Sequence, residues 1–106
     1  MKKPSERLKD SITKDNLWIY ILKMLSEKNY YPYRLREEIE KRFGFSPGSV
    51  TSYIVLKKLE AQGFVKKWKE KSLLGPERNF YKITSKGRRE LNNGIKILRN
   101  LIKKIE

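Results

Sequence analysis

The sequence predicts a mainly α-helical fold with one small β-hairpin, closed by a long last helix. Three observations predict it. Apolar residues recur four apart through residues 17–43, the stripe of helices that bury one face. After Gly63 that period stops, and two runs of aromatic and β-branched residues flank a Gly75-Pro76 turn signal. From Leu91 to Ile105 the apolar residues step by 4, 3, 4 and 3, the a/d spacing of a helical seam.

Residues 1–14 are charged, and Leu8 and Ile12 lie at helical spacing. A short helix can start at Ser5, and the segment reads equally as an arm packed on a partner or a frayed basic tail. The first strong helix is expected from Asp15 to Lys28. Leu17, Ile21 and Leu25 recur there beside Trp18, Tyr20, Leu22 and Met24. That stripe is too wide for a one-sided surface helix, so one side should face its own domain and the other a partner or ligand.

Asn29 to Tyr33 reads as a turn, with Pro32 suited to a first helical position. A second helix over Tyr33–Phe43 carries Leu35, Ile39 and Phe43 on one face, and Gly44 stops it. Ser46 as N-cap and Pro47 as N1 should open a third helix that runs to Gln62, with Gly63 ending it. Strands are expected at Phe64–Lys69 and Asn79–Ile83, joined by a loop from Lys71 to Arg78. Thr84 then caps a last helix over Ser85–Ile105. Helix, helix, helix, hairpin and helix in that order make a winged helix-turn-helix over residues 15–84. Residues 1–14 form an arm and residues 85–106 a dimerisation helix.

The 106 residues suffice for one domain. Lys and Arg number 26 against 12 Asp and Glu, a net charge of +14 that favours a polyanionic partner. Cysteine and histidine are both absent. That excludes disulfides, thiol chemistry, Cys-ligated zinc and the usual neutral-pH proton shuttle. No phosphate-cradling glycine loop occurs, so neither an enzyme nor a metal or other cofactor is expected. No apolar run is long enough to span a membrane, and the basic start lacks a signal-peptide core, so the expected location is cytoplasmic.

Particular motifs sharpen this picture. The wing with its flanks reads Gly75-Pro76-Glu77-Arg78-Asn79-Phe80-Tyr81-Lys82-Ile83-Thr84. Leu56-Lys57-Lys58-Leu59-Glu60-Ala61-Gln62-Gly63-Phe64-Val65 precedes it, and Ser46-Pro47-Gly48 opens the third helix. From about Leu17 to Leu91 the chain resembles the PadR-like transcriptional regulators. That family tends to carry Gly-x-x-Arg-Lys-Tyr-Tyr-x-Leu-Thr in the wing, Leu-x-x-Leu-Glu-x-x-Gly-Leu-Ile before it, and a tyrosine where Tyr53 stands. Here Asn79-Phe80 replaces the usual Lys-Tyr, Ile54 replaces a frequent proline, and Tyr53 lies farther from Ser46-Pro47-Gly48 than is common. The resemblance implies a homodimer that represses promoters on double-stranded DNA and sometimes answers to a small hydrophobic effector.

At about 100° per residue, Ser52, Val55, Leu56 and Leu59 share one side of the third helix and should face the core. Val50, Tyr53, Ile54, Lys57 and Ala61 share the other, with Ser49, Thr51 and Lys58 at its edge. This second side is the candidate groove-reading face, because hydroxyls and lysines contact phosphates or base edges and Val50 or Ile54 suits a thymine methyl. The alternative makes Val50, Tyr53 and Ile54 ordinary core. The Tyr31-Pro32-Tyr33 corner starts the second helix, where backbone N–H groups can hold a DNA phosphate, so Tyr33 joins the candidate DNA contacts, as does Ser46 at the opening of the third helix. In the wing, alternation puts Lys67, Lys69 and Lys71 on one face opposite Trp68, with Arg78 beside the turn. These four are candidate phosphate or minor-groove contacts; otherwise they are a solvated face that blocks edge pairing.

Leu91, Ile95, Leu98, Leu101, Ile102 and Ile105 are the candidate dimer interface, since a lone winged domain leaves much of that stripe exposed. Trp18 and Trp68 are candidates for an effector pocket, with plain core as the alternative. Two other functions compete: a winged-helix module that docks proteins, and a nucleic-acid binder without sequence preference.

Overall fold

The computed structural model describes residues 1–70, 75 and 78–106. Helix α1 spans Pro4–Ile12 and leads through a 3-10 turn, Lys14–Asn16, into α2, Leu17–Glu27. Helix α3 is Pro32–Phe43 and α4 is Ser49–Ala61. Strands β1, Val65–Glu70, and β2, Arg78–Ile83, form an antiparallel hairpin, and α5 runs over Ser85–Ile105. The order is the winged helix-turn-helix that the sequence predicts, followed by the C-terminal helix.

Two local starts differ from expectation, and one stop agrees with it. The expected helix from Asp15 begins at Leu17, because Asn16 at φ −132°, ψ 46° leaves helical geometry. Its side-chain amide donates instead to the Ser11 carbonyl at 2.6 Å. Ser46 does not cap α4. Pro47 is buried rather than placed in the first helical turn, and extended Gly48 is the N-cap. Ser46 Oγ donates to Glu40 Oε2 at 3.3 Å. At the end of α3, Gly44 takes φ 76°, a left-handed stop that a side chain would disfavour.

The core is continuous from α2 outward. Leu17, Ile21, Leu22, Met24 and Leu25 meet Leu35 and Ile39 of α3, Leu56 and Leu59 of α4, Val65 and Tyr81 of the hairpin, and Leu91 of α5. The wide stripe of α2 is therefore spent within the chain. Its second side packs on α5, where Gly94 lies so close that a Cβ there would sit 2.7 Å from Trp18 Cη2 and 2.9 Å from Ile19 Cδ1.

Two devices attach the hairpin. Thr84 Oγ1 accepts from the Gly87 amide at 3.0 Å, capping α5, and donates to the Gly63 carbonyl at 2.7 Å. Tyr30 pairs with Tyr81 through two backbone bonds, the Tyr30 amide to the Tyr81 carbonyl at 3.2 Å and the Tyr81 amide to the Tyr30 carbonyl at 2.8 Å. The turn before α3 thus acts as a one-residue third strand beside β2. Among the described residues no helix is long and apolar enough to cross a membrane.

Candidate nucleic-acid interface

Helix α4 divides as its periodicity predicts. Ser52, Leu56 and Leu59 are buried and Val55 is half-buried. Val50, Tyr53 and Ile54 are 71%, 55% and 47% exposed, so none of the three belongs to the core. These apolar side chains stand uncovered on the helix beside lysines. Lys57 lies at the wing side of this face. Its Nζ is 5.6 Å from the Tyr53 ring centroid and 3.9 Å from Glu60 Oε1. Ser49 is exposed at the first turn. Thr51 and Lys58 are exposed too but lie on the other flank, lining a cleft with Trp18 and Glu90.

The hairpin register pairs Lys67 with Tyr81, Lys69 with Asn79, Trp68 with Phe80 and Glu70 with Arg78. The alternation is as expected, but the face carrying Lys67 does not simply look into solvent. Val65 and Tyr81 share it and are both buried, so this face turns toward the domain. Lys67 is consequently half-buried, with its ammonium group beside that of Lys57. Lys69 and Arg78 are exposed farther along the strands, and Lys71 lies outside the described residues.

Tyr33, at the opening of α3, is 61% exposed with the Arg36 guanidinium 5.6 Å over its ring. Ser46 sits on the exposed link between α3 and α4. The structure thus brings Tyr53, Lys57 and Lys67 together and leaves Thr51, Lys58 and Tyr33 on separate flanks.

The two tryptophans do not share a site. Trp68 stacks on Phe80 at 5.7 Å and 24°, on the hairpin face turned away from the core. Trp18 lies between α2 and α5 and lines two clefts, of about 410 Å³ and about 230 Å³. The two tryptophans therefore do not line one pocket. The smaller cleft is walled by Ile12, Ile19, Ile97 and Leu98, with Gly94 as its floor. Among the described residues no acidic cluster could hold a metal ion.

The seam of α5 is shorter than its spacing suggests. Leu91 is only 6% exposed because its own core covers it, and Ile95 packs partly on that core. Leu91 is thus core rather than dimer interface. Leu98, Leu101, Ile102 and Ile105 remain 43% to 84% exposed, together with Ile97.

Sequence reasoning missed the aromatic cluster that ties the wing to the start of α3. The Tyr31 ring meets Phe80 edge-on at 5.5 Å, and Arg78 lies 4.9 Å over Tyr31. The signal was present as Tyr30-Tyr31 before Pro32 and Phe80-Tyr81 in the strand, but pairing across fifty residues has no local period.

Comparison with known proteins completes the description. A family model described as the transcriptional regulator PadR-like family matches residues 21–93. No curated protein matches the chain. Among solved structures, a PadR family transcription regulator from Clostridium difficile R20291 is 27% identical with a TM-score of 0.73, covering 83% of this chain and 91% of that one. A PadR-like transcriptional regulator from Bacillus cereus is 26% identical with a TM-score of 0.71, covering 84% and 86%. Bacillus subtilis PadR, solved in complex with operator DNA, is 25% identical with a TM-score of 0.68 over 74% of this chain and 46% of that one. With a family match over most of its length, and with the helices and wing in the order its own residues dictate, this chain belongs to the PadR-like family of transcriptional regulators.

Proposed function

We propose that the protein acts as a homodimeric repressor that reads double-stranded DNA in a sequence-specific way. Residues 15–84 form the DNA-binding unit, residues 85–106 the dimerisation helix, and residues 1–14 an accessory arm. The observation that carries the reading is the uncovered face of α4, with Val50, Tyr53, Ile54 and Lys57 beside a basic wing in a chain of net charge +14. Helix α4 enters the major groove, with Ser49 and Thr51 at its leading turn. Lys67, Lys69 and Arg78 of the wing, with Lys57 and Lys58, hold phosphates or the minor-groove rim. The structure of Bacillus subtilis PadR with operator DNA supports a duplex as the partner. A duplex-DNA partner supports a cytoplasmic location.

The exposed seam of α5 supports the dimer. Two copies pairing through Leu98, Leu101, Ile102 and Ile105 remove that stripe from water and put two α4 helices on one duplex. An effector reading rests on Trp18, which lines the apolar notch over Gly94. A small planar hydrophobic molecule suits that notch, with no cofactor needed.

Selection of bound fragments from random duplexes tests the reading. A defined, enriched sequence is the expected result, and its placement upstream of a reporter should lower transcription. Equal retention of all sequences would leave a non-specific binder, and no retention would leave a protein-docking module.

A further inference from the structure

We propose that Tyr31 is a positioning residue for the wing: it holds the Arg78 guanidinium in place for its DNA phosphate and so couples the start of α3 to the grip of the hairpin. The inference rests on the reading of the wing as a DNA contact. Tyr31 acts on that contact through Arg78, whose guanidinium lies over its ring.

The geometry supplies the argument. Next to Tyr31, Tyr30 is locked to Tyr81 by its two backbone hydrogen bonds, at 3.2 Å and 2.8 Å. The turn is therefore fixed against β2, and successive residues on an extended segment point to opposite faces. Tyr30 goes into the core at 5% exposure, and Tyr31 goes to the outer face of the hairpin. There its ring stands edge-on to Phe80 at 5.5 Å and 87°. Phe80 in turn stacks on Trp68 at 5.7 Å, and the Lys82 ammonium lies 5.7 Å over Trp68. Three aromatic rings thus run in a row from the first strand of the wing to the start of α3.

Arg78 uses the end of that row. Its Cζ is 4.9 Å from the Tyr31 centroid, close enough for the ring quadrupole to attract the cation. An exposed arginine in water samples many rotamers and loses that freedom when it grips a phosphate. A ring that already restricts the guanidinium removes part of the loss before DNA arrives. Because Tyr31 is carried by the turn into α3, Arg78 is referenced to the helix-turn-helix as well as to its own strand. The apolar side of the ring row also explains why half-buried Trp68 and Phe80 stand on the face turned away from the core.

A double-mutant cycle on the full chain tests this. Tyr31→Leu keeps apolar bulk and removes the ring, and Tyr31→Phe keeps the ring. Duplex affinity is measured for both, alone and combined with Arg78→Ala, well below each variant's melting temperature. Tyr31→Leu should weaken binding roughly two- to fivefold per wing, the range of a cation–ring contact. Tyr31→Phe should bind as wild type. In the Arg78→Ala background, Tyr31→Leu should cost nothing further. An equal loss in both backgrounds would make Tyr31 a purely structural residue and overturn the proposal, as would a silent Tyr31→Leu while Arg78→Ala weakens binding. If Arg78→Ala itself costs nothing, the wing reading fails first and takes this inference with it.

Discussion

Ser52 is buried on α4 at 3% exposure, and among the described residues its hydroxyl has no hydrogen-bond partner. A buried hydroxyl without a partner costs free energy, and alanine is the better helix former. Ser52→Ala should therefore stabilise the fold by about 0.5–1 kcal/mol, read as a higher midpoint in urea unfolding. Gly87 gives the opposite sign. A Cβ there would lie 2.1 Å from the Phe64 carbonyl oxygen, which is backbone and cannot step aside. Gly87→Ala should push α5 off the hairpin and cost about 2–4 kcal/mol in the same measurement. Glu27 gives the fold a pH dependence that can be tested. The hydrogen bond that Arg42 donates to it, at 2.5 Å, is the main cause that holds its carboxyl below the usual range. A depressed carboxylate pKa contributes stability above the unfolded value, and that contribution disappears as pH falls through the folded value. Acidification through and below the ordinary carboxylate range should loosen the α2–α3 contact, and Glu27→Gln should remove that part of the pH dependence of melting.

At the scale of elements, α4 and the wing have different tasks that salt can separate. A phosphate contact releases counterions and carries no base information directly, so it sets the salt slope. Arg78→Ala should weaken operator and random duplexes about equally and flatten the dependence of log affinity on log salt. A substitution on α4, Lys57→Ala on its open face or Thr51→Ala on the flank beside Trp18, should shift preference between sites by roughly 1–3 kcal/mol if it removes a base contact. Affinities for both duplexes across a salt series decide this. If the wing variants act and the α4 variants are silent, the assignment of the reading face is wrong. Thr51 carries the sharper risk, because it stands on the flank that faces Trp18 rather than on the Val50–Ile54 face.

For the whole molecule, the question is what covers α5. The chain extends 53 Å along its longest axis, and the last two turns of α5 carry Leu101, Ile102 and Ile105 in water. Replacing Leu98 and Ile102 by Asp would bury charge in any seam those residues form, which is severely unfavourable while the chains stay paired. The double variant should sediment as a monomer and bind operator far more weakly, since one chain offers one α4 and one wing. A dimer of wild-type affinity would sink the α5 seam. The notch at Trp18 is tested by fluorescence in a Trp68→Phe background, where Trp18 is the sole tryptophan. Planar hydrophobic compounds should quench it saturably; a flat response across a varied library would assign Trp18 to packing alone.

The order of elements and their approximate lengths were legible in the residues, because helical stripes, glycine stops and the Thr84 cap are local signals. The division of α4 followed from periodicity: Leu56 and Leu59 point inward, and Val50 and Ile54 outward. What local signals could not supply was the identity of each packing partner. Leu91 and Leu98 obey the same heptad spacing, yet one is covered by α2 and its neighbours and the other is bare. The difference arises because α5 outruns the domain it packs on, and no spacing within a helix records where its neighbours end. The wide stripe of α2 faces α5 for the same reason. The Tyr31–Phe80–Trp68 row and the meeting of Lys57 with Lys67 join residues from separate elements, and only the folded chain brings them within reach.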